Sequence, residues 1–309
     1  MPDLRVVARA EVLAGRQGGM LSLRQVLAEG ITERELRTLT ASGRWQRVTQ
    51  GVYLTPAHLH RDQFDTARLQ AAWMGLLAVP GSTATGMAAL MLHGIEGLPL
   101  QIPSEVRPPD RQSVPGPMGV TIRRYRARTP VRLLAGFPVA EVAHALGQAL
   151  GHLDRDHGVA VVDSALHKKR LLPEDLEHVA QLVARRRGSR TARLALALAD
   201  GRAESPLESK ARLRFVDVGL PPTTLQKVFL DQRGRTIARG DLAWQRSDGS
   251  WVSVEMDGHD VHSTPEALFH DRHRQNDLMV DRRLTLLRFT GRDLVDRSAE
   301  ATVRRALAA

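Results

Sequence analysis

Arg239-Gly240-Asp241-Leu242-Ala243-Trp244 and, after a polar turn, Val252-Ser253-Val254-Glu255-Met256-Asp257-Gly258 are the two runs on which the reading of this chain turns. Both are apolar stretches that carry carboxylates at one end. If they are adjacent antiparallel strands, Asp241 comes beside Glu255 and Asp257, and residues two apart in a strand share a face. Clustered carboxylates suit a hard divalent cation that clamps phosphate and activates water. The chemistry expected here is that of a metal-dependent nuclease.

Working outward, Ser205-Pro206-Leu207-Glu208 has the pattern of a helix start, with an N-cap serine, proline in the first turn and a glutamate closing a capping box. Leu207, Ala211, Phe215 and Val218 make the stripe that this helix would bury. Strands are expected over 225–230, 236–244 and 251–256, then a helix over 266–280, a strand over 284–289 and a closing helix over 299–307. That is the element order of a restriction-endonuclease-like α/β core.

At the other end, a helix with Leu4, Val7, Ala8 and Val12 on one face stops at the glycines 15–19. Ser22 caps a short helix, Thr32 and Glu35 form a capping box for the next, and Gly43 stops it. Two short strands flank Gln50-Gly51. Three helices and a hairpin make a winged helix-turn-helix over residues 1–57. The helix after the turn, capped by Thr32, would be the recognition helix and exposes Arg34 and Arg37, Arg44 follows, and Arg47 lies where a wing meets the DNA backbone; these four are the candidate DNA contacts. Residues 58–200 are expected to be a mostly helical connector with a short β segment near 120–125, and residues 201–309 the third domain. The chain is thus an α+β multidomain protein. The basic runs at 123–128 and 185–190 are candidate phosphate patches, or simply edge-strand protection and helix C-capping.

The formal net charge is +10, of which +6 falls in residues 101–200 and +2 in residues 201–309. A basic body beside an acidic pocket fits a protein that grips a polyanion. An arginine-rich solvated surface would have the same composition. There is no cysteine, so a metal would be held by Asp, Glu or His. No long apolar run or secretion signal is apparent, which points to the cytoplasm and away from a membrane. No phosphate loop, dinucleotide fingerprint or nucleophile elbow occurs.

Ser22-Leu23-Arg24-Gln25-Val26-Leu27 and Trp45-Gln46-Arg47-Val48-Thr49-Gln50-Gly51-Val52-Tyr53-Leu54 resemble the N-terminal domain of AbiEi-type antitoxin proteins. That resemblance covers roughly the first 57 residues and implies transcriptional autoregulation. The stretch from Ser205 onward resembles the Vsr-like endonuclease domain, domain-of-unknown-function family 559, of the PD-(D/E)XK superfamily. It is carried by Glu204-Ser205-Pro206-Leu207-Glu208-Ser209, Gln226, Asp241 to Trp244, Glu255 to Gly258, His262, and Asp271-Arg272-His273-Arg274-Gln275-Asn276.

The second resemblance implies Mg²⁺ or Mn²⁺ on Asp241 and Glu255. Asp257 stands where many superfamily members carry lysine; it would polarise the water or complete the metal shell. His262, Arg274 or a second metal would then take over the lysine's work, with Arg274 steadying phosphate. Glu208 is either an accessory metal ligand or only a helix cap. Two functions follow: a DNA-binding Mg²⁺-dependent endonuclease, or a non-cleaving transcriptional regulator, the antitoxin of a type IV toxin–antitoxin system, whose partners are DNA and a cognate toxin. The sequence does not specify an oligomeric state.

Overall fold

The N-terminal helices begin where a side chain closes the backbone donors that a helix start leaves open. In the computed structural model, which describes residues 3–57, 62–109, 116–125, 129–184, 186–231, 233–258 and 283–309, α1 (Leu4–Gly15) starts at Asp3. Helix α2 (Leu23–Ala28) starts at Ser22, and α3 (Glu33–Ala41) at Thr32. Ser22 with Gln25 and Thr32 with Glu35 each form a reciprocal capping box. Strands β2 (Gln46–Thr49) and β3 (Val52–Leu54) form the expected hairpin. A strand not anticipated from sequence, β1 (Met20–Ser22), pairs antiparallel with β3 and gives the order β1-β3-β2. Val7, Ala10, Leu21, Val26, Leu36, Leu39 and Trp45 fill the core. This arrangement is that of a winged helix, with α3 in the recognition position.

The segment expected to be a mostly helical connector contains a five-stranded sheet. After α4 (Gln63–Ala78) come β4 (Thr83–Ala84), α5 (Gly86–Leu92), β5 (Ser104–Arg107), β6 (Val120–Ile122), β7 (Val131–Leu134) and β8 (Phe137–Ala140), in the sheet order β6-β5-β4-β8-β7. Helix α6 (Val142–Ala149) begins directly after the β7–β8 hairpin. That hairpin turns through Ala135 and Gly136, both at positive φ (49° and 83°), as a primed two-residue turn requires. Helices α7 (Arg155–His167), α8 (Asp175–Val183) and α9 (Ser189–Leu198) follow. No helix among the described residues is long and apolar enough to cross a membrane.

The chain divides into two units, Met1–Gly158 with Lys168–Ala197, and Val159–His167 with Leu198–Ala309. In the second, α10 (Pro206–Asp217) starts on the Ser205 cap with proline in its first turn. Strands β9 (Thr224–Leu230), β10 (Thr236–Gln245), β11 (Trp251–Asp257) and β12 (Leu284–Thr290) stand in that order, close to the expected positions. The first three are antiparallel and β12 runs parallel to β11.

Leu242, Trp244, Val252, Val254 and Met256 alternate into a core closed by Ala211 and Phe215 of α10. Leu294, Ala299 and Val303, from helices Gly291–Val295 and Ser298–Ala308, complete it. Each large apolar side chain fully buried there contributes about 1.5–3 kcal/mol. Val218, expected in the buried stripe of α10, is exposed, since the helix has ended at Asp217. The helix expected over 266–280, and with it His262 and Arg274, lies outside the described residues.

Candidate functional site

Two surfaces bear on function, one in each unit. On the winged helix, the register of α3 buries Leu36 and Leu39 and turns Arg34 and Arg37 outward. Arg37 is steadied by its Nε donating to the Glu33 carbonyl at 3.3 Å. Arg47 is exposed on β2, its Nε donating to the Thr49 carbonyl at 3.4 Å. Arg44 is differently placed: its guanidinium holds both oxygens of Glu11 at 3.1 Å, and Glu11 also accepts the Trp45 indole N–H at 3.0 Å. A guanidinium in a bidentate pair has given up the fork that would meet phosphate, so its role is to fasten the end of α3 to α1. Arg24, absent from the four candidate contacts, is exposed in the first turn of α2 and lines a groove with Arg47 and Gln50. No ion pair holds Arg24, Arg34, Arg37 or Arg47 among the described residues.

The second surface is built by strand register. Leu242 pairs with Val254, so Asp241 and Glu255 face each other one position beyond. Between the pairs Gly240–Lys227 and Leu242–Leu225, Gln226 stands opposite Asp241, and Glu255 pairs with Arg288 on β12. A polar row thus crosses all four strands. Gln226 adopts φ +52°, a conformation costing a non-glycine residue about 1–2 kcal/mol, and its Nε2 donates to Glu208 Oε2 at 2.7 Å. Asp241 Oδ2 accepts the Met256 backbone N–H at 2.7 Å.

Burial pushes the Asp241 carboxyl up from 3.8 to about 6; the neighbouring Glu208 charge adds to the rise, while the Met256 N–H, Gln226 and Arg239 oppose it. Because the folded value lies above the unfolded one, Asp241 favours the fold fully below about pH 4 and loses that advantage as pH rises to about 6. Asp241→Asn keeps the acceptor for Met256. It is expected to stabilise the protein by about 1–2 kcal/mol at pH 7, with solvent screening allowed for, and to change nothing at pH 3. Thermal melts at the two pH values check this, and equal gains at both would refute it.

Two of the remaining carboxylates, Glu208 and Glu255, are already engaged. Glu208 Oε1 accepts the Ser205 hydroxyl at 2.8 Å, and its Oε2 accepts the Glu204 N–H at 2.9 Å beside Gln226. These partners at the helix start occupy both oxygens of Glu208 without a metal ion. Glu255 Oε2 is paired with Arg288 Nε at 2.9 Å, and Asp257 is exposed. Among the described residues no three His, Asp or Glu side chains are grouped to hold a metal ion. Arg288 supplies the positive charge that a cation would bring. As arranged, these residues do not fit a metal cage, and Asp241 and Glu255 could share an ion only with the Arg288 pair opened.

Known proteins resemble the other surface. Residues 10–56 match the family described as transcriptional regulator, AbiEi antitoxin. The match covers α2, α3 and the hairpin, the elements that carry the exposed arginines. The chain is also 36% identical over 124 residues to the uncharacterized proteins MT2308 and Rv2248 of two Mycobacterium tuberculosis strains. That alignment takes in 40% of this chain and 44% of each relative, so the chain spans less than half the length of the relatives it matches.

Proposed function

We propose that this protein is a DNA-binding transcriptional regulator of the antitoxin type, which reads duplex DNA with its winged helix in the cytoplasm and has a cognate toxin as its partner. The observation that carries the reading is the set of exposed arginines, Arg34 and Arg37 on α3 with Arg47 on the wing, within the part of the chain similar to AbiEi antitoxins. Arg24, in the first turn of α2, adds a backbone contact.

Phosphate neutralisation releases counterions, so affinity should fall with salt at a logarithmic slope of about −0.9 per phosphate contacted. Arg34→Ala with Arg37→Ala is expected to weaken duplex binding about tenfold or more and to reduce that slope by about 1–2. Arg44→Ala should leave the slope alone, because Glu11 already takes its charge. Fluorescence anisotropy on a labelled duplex across salt concentrations checks both. An unchanged slope in the double variant would remove the winged helix as the DNA reader.

A second reading, metal-dependent DNA cleavage with Mg²⁺ or Mn²⁺, is favoured by one observation, the register that sets Asp241 opposite Glu255. Against it stands the Glu255–Arg288 pair, and no catalytic step is derived. Calorimetry with Mn²⁺ on the wild type and on Asp241→Ala and Glu255→Ala decides it: binding lost in both variants, with plasmid cleavage lost alongside, is the outcome it needs. His262, Arg274 and Asp257 belong to that reading alone.

A further inference from the structure

We infer that the groove between the wing and the end of α4 binds an amphipathic organic anion, a hydrocarbon chain carrying one carboxylate, and that this ligand and duplex DNA exclude one another. The second half rests on the winged helix reading duplex DNA. The groove lies within the first unit and has a volume of about 1320 Å³, above the usual range for a compact drug-sized ligand, which suits a long chain. One wall is the start of α2 and the wing, with Leu23, Leu27 and Tyr53; the other is the end of α4 and the start of β8, with Leu77, Ala78 and Phe137.

Both walls are fixed before any ligand arrives. Gly18, at φ +66°, lets the turn before β1 rest on α4: a Cβ there would lie 3.3 Å from the backbone at Leu69 and Gln70. On the wing side, the buried Thr49 hydroxyl donates to the Met118 carbonyl at 2.8 Å. Phe137 is held by an edge-to-face contact with Trp73, the ring centroids 5.2 Å apart. A groove already in shape loses little of a ligand's interaction energy to its own ordering.

The chemistry of the walls selects the ligand. Pro80, Pro108, Pro109 and Pro117 line the second wall, and proline has no N–H to donate, so this wall meets a hydrocarbon chain better than a polar one. On the facing wall Leu27 is 42% exposed, a large apolar side chain that such a chain would take out of water. The charge comes from Arg24, in the first turn of α2, and Arg47, on β2. Arg47 is oriented by its Nε, which donates to the Thr49 carbonyl at 3.4 Å. A guanidinium takes a carboxylate through two parallel hydrogen bonds. A duplex backbone would meet the two arginines and leave the apolar walls wet, whereas an anion with a hydrocarbon chain uses both. Because Arg24 and Arg47 are also the groups that meet the DNA backbone, a carboxylate seated on them takes them from the duplex.

The test is calorimetry of the full-length protein with hexanoate, octanoate, decanoate and decanol, each below the concentration at which it aggregates, followed by anisotropy of a labelled duplex with and without decanoate. Affinity should rise about fourfold for each methylene buried, and decanol should bind about tenfold more weakly than decanoate. Arg24→Gln with Arg47→Gln should bring decanoate down to the level of decanol and leave decanol unchanged. Ala78→Phe, which fills the second wall, should weaken both; if that variant melts early, the wild-type series still decides. Saturating decanoate should weaken duplex binding several-fold. A flat chain-length series, equal binding of decanoate and decanol, unchanged decanoate binding in the arginine variant, or undiminished duplex affinity at saturating decanoate would each overturn the inference. Failure of the DNA-reading role looks different: a protein that gives the full chain-length series but binds no duplex under either condition keeps the ligand site and loses that role.

Discussion

Asp163→Ala is expected to lower the unfolding free energy of the C-terminal unit by about 3–5 kcal/mol. Asp163 is 1% exposed on α7, in the helical half that belongs to this unit. Its Oδ2 accepts from Ser209 Oγ at 2.7 Å and Arg212 Nη2 at 3.0 Å, and its Oδ1 accepts the Asp200 N–H at 2.6 Å. Alanine would leave the buried Arg212 guanidinium without its counter-charge, on a side chain whose Nε already has no partner. Truncating one member of a buried pair is much worse than replacing both. Asp163→Leu with Arg212→Met should therefore recover most of the loss. Urea titrations of the single and double variants give the answer; a single variant within about 1 kcal/mol of wild type would show that the network is idle.

The same residue shows what sequence could and could not reveal. Helix starts were legible at Ser22, Thr32 and Ser205 because a cap and its partner lie within three residues. The strands of the C-terminal sheet were legible from alternation, and so was the opposition of Asp241 and Glu255 across one turn. Nothing local in the sequence marks Asp163, because its partners lie 37 to 49 residues away. Arg288 was hidden for a related reason: it reaches Glu255 from a parallel strand 33 residues on, and no local pattern announces such a partner. In the middle segment, β1-like short strands and the Ala135-Gly136 turn defeat pattern reading. An Ala at positive φ replaces the Asn or Asp that usually signals a primed turn, and strands of two to four residues are too short to show a period.

Gly86→Ala should be nearly as damaging, at about 2–5 kcal/mol. Gly86 has φ +52°, and a Cβ there would lie 2.7 Å from the Glu105 carboxyl carbon and closer still to one of its oxygens. Glu105 cannot step aside freely: it is 2% exposed, accepts the Met87 N–H at 2.8 Å and holds Arg123 at 2.6 Å. Two effects therefore add, about 1–2 kcal/mol for alanine in the left-handed region and about 1–3 kcal/mol for overpacking a filled site. Gly94→Ala separates them. Gly94 has φ +73° with no atom within 4 Å of the added carbon, so only the conformational part, about 1–2 kcal/mol, should appear. Because Gly86 also donates its N–H to Gln148 Oε1 at 2.9 Å, the damage should extend to α6, which carries Gln148. Urea melts of the two alanine variants side by side test the argument; equal losses would mean that Glu105 moves away at no cost and that the packing at Gly86 carries nothing.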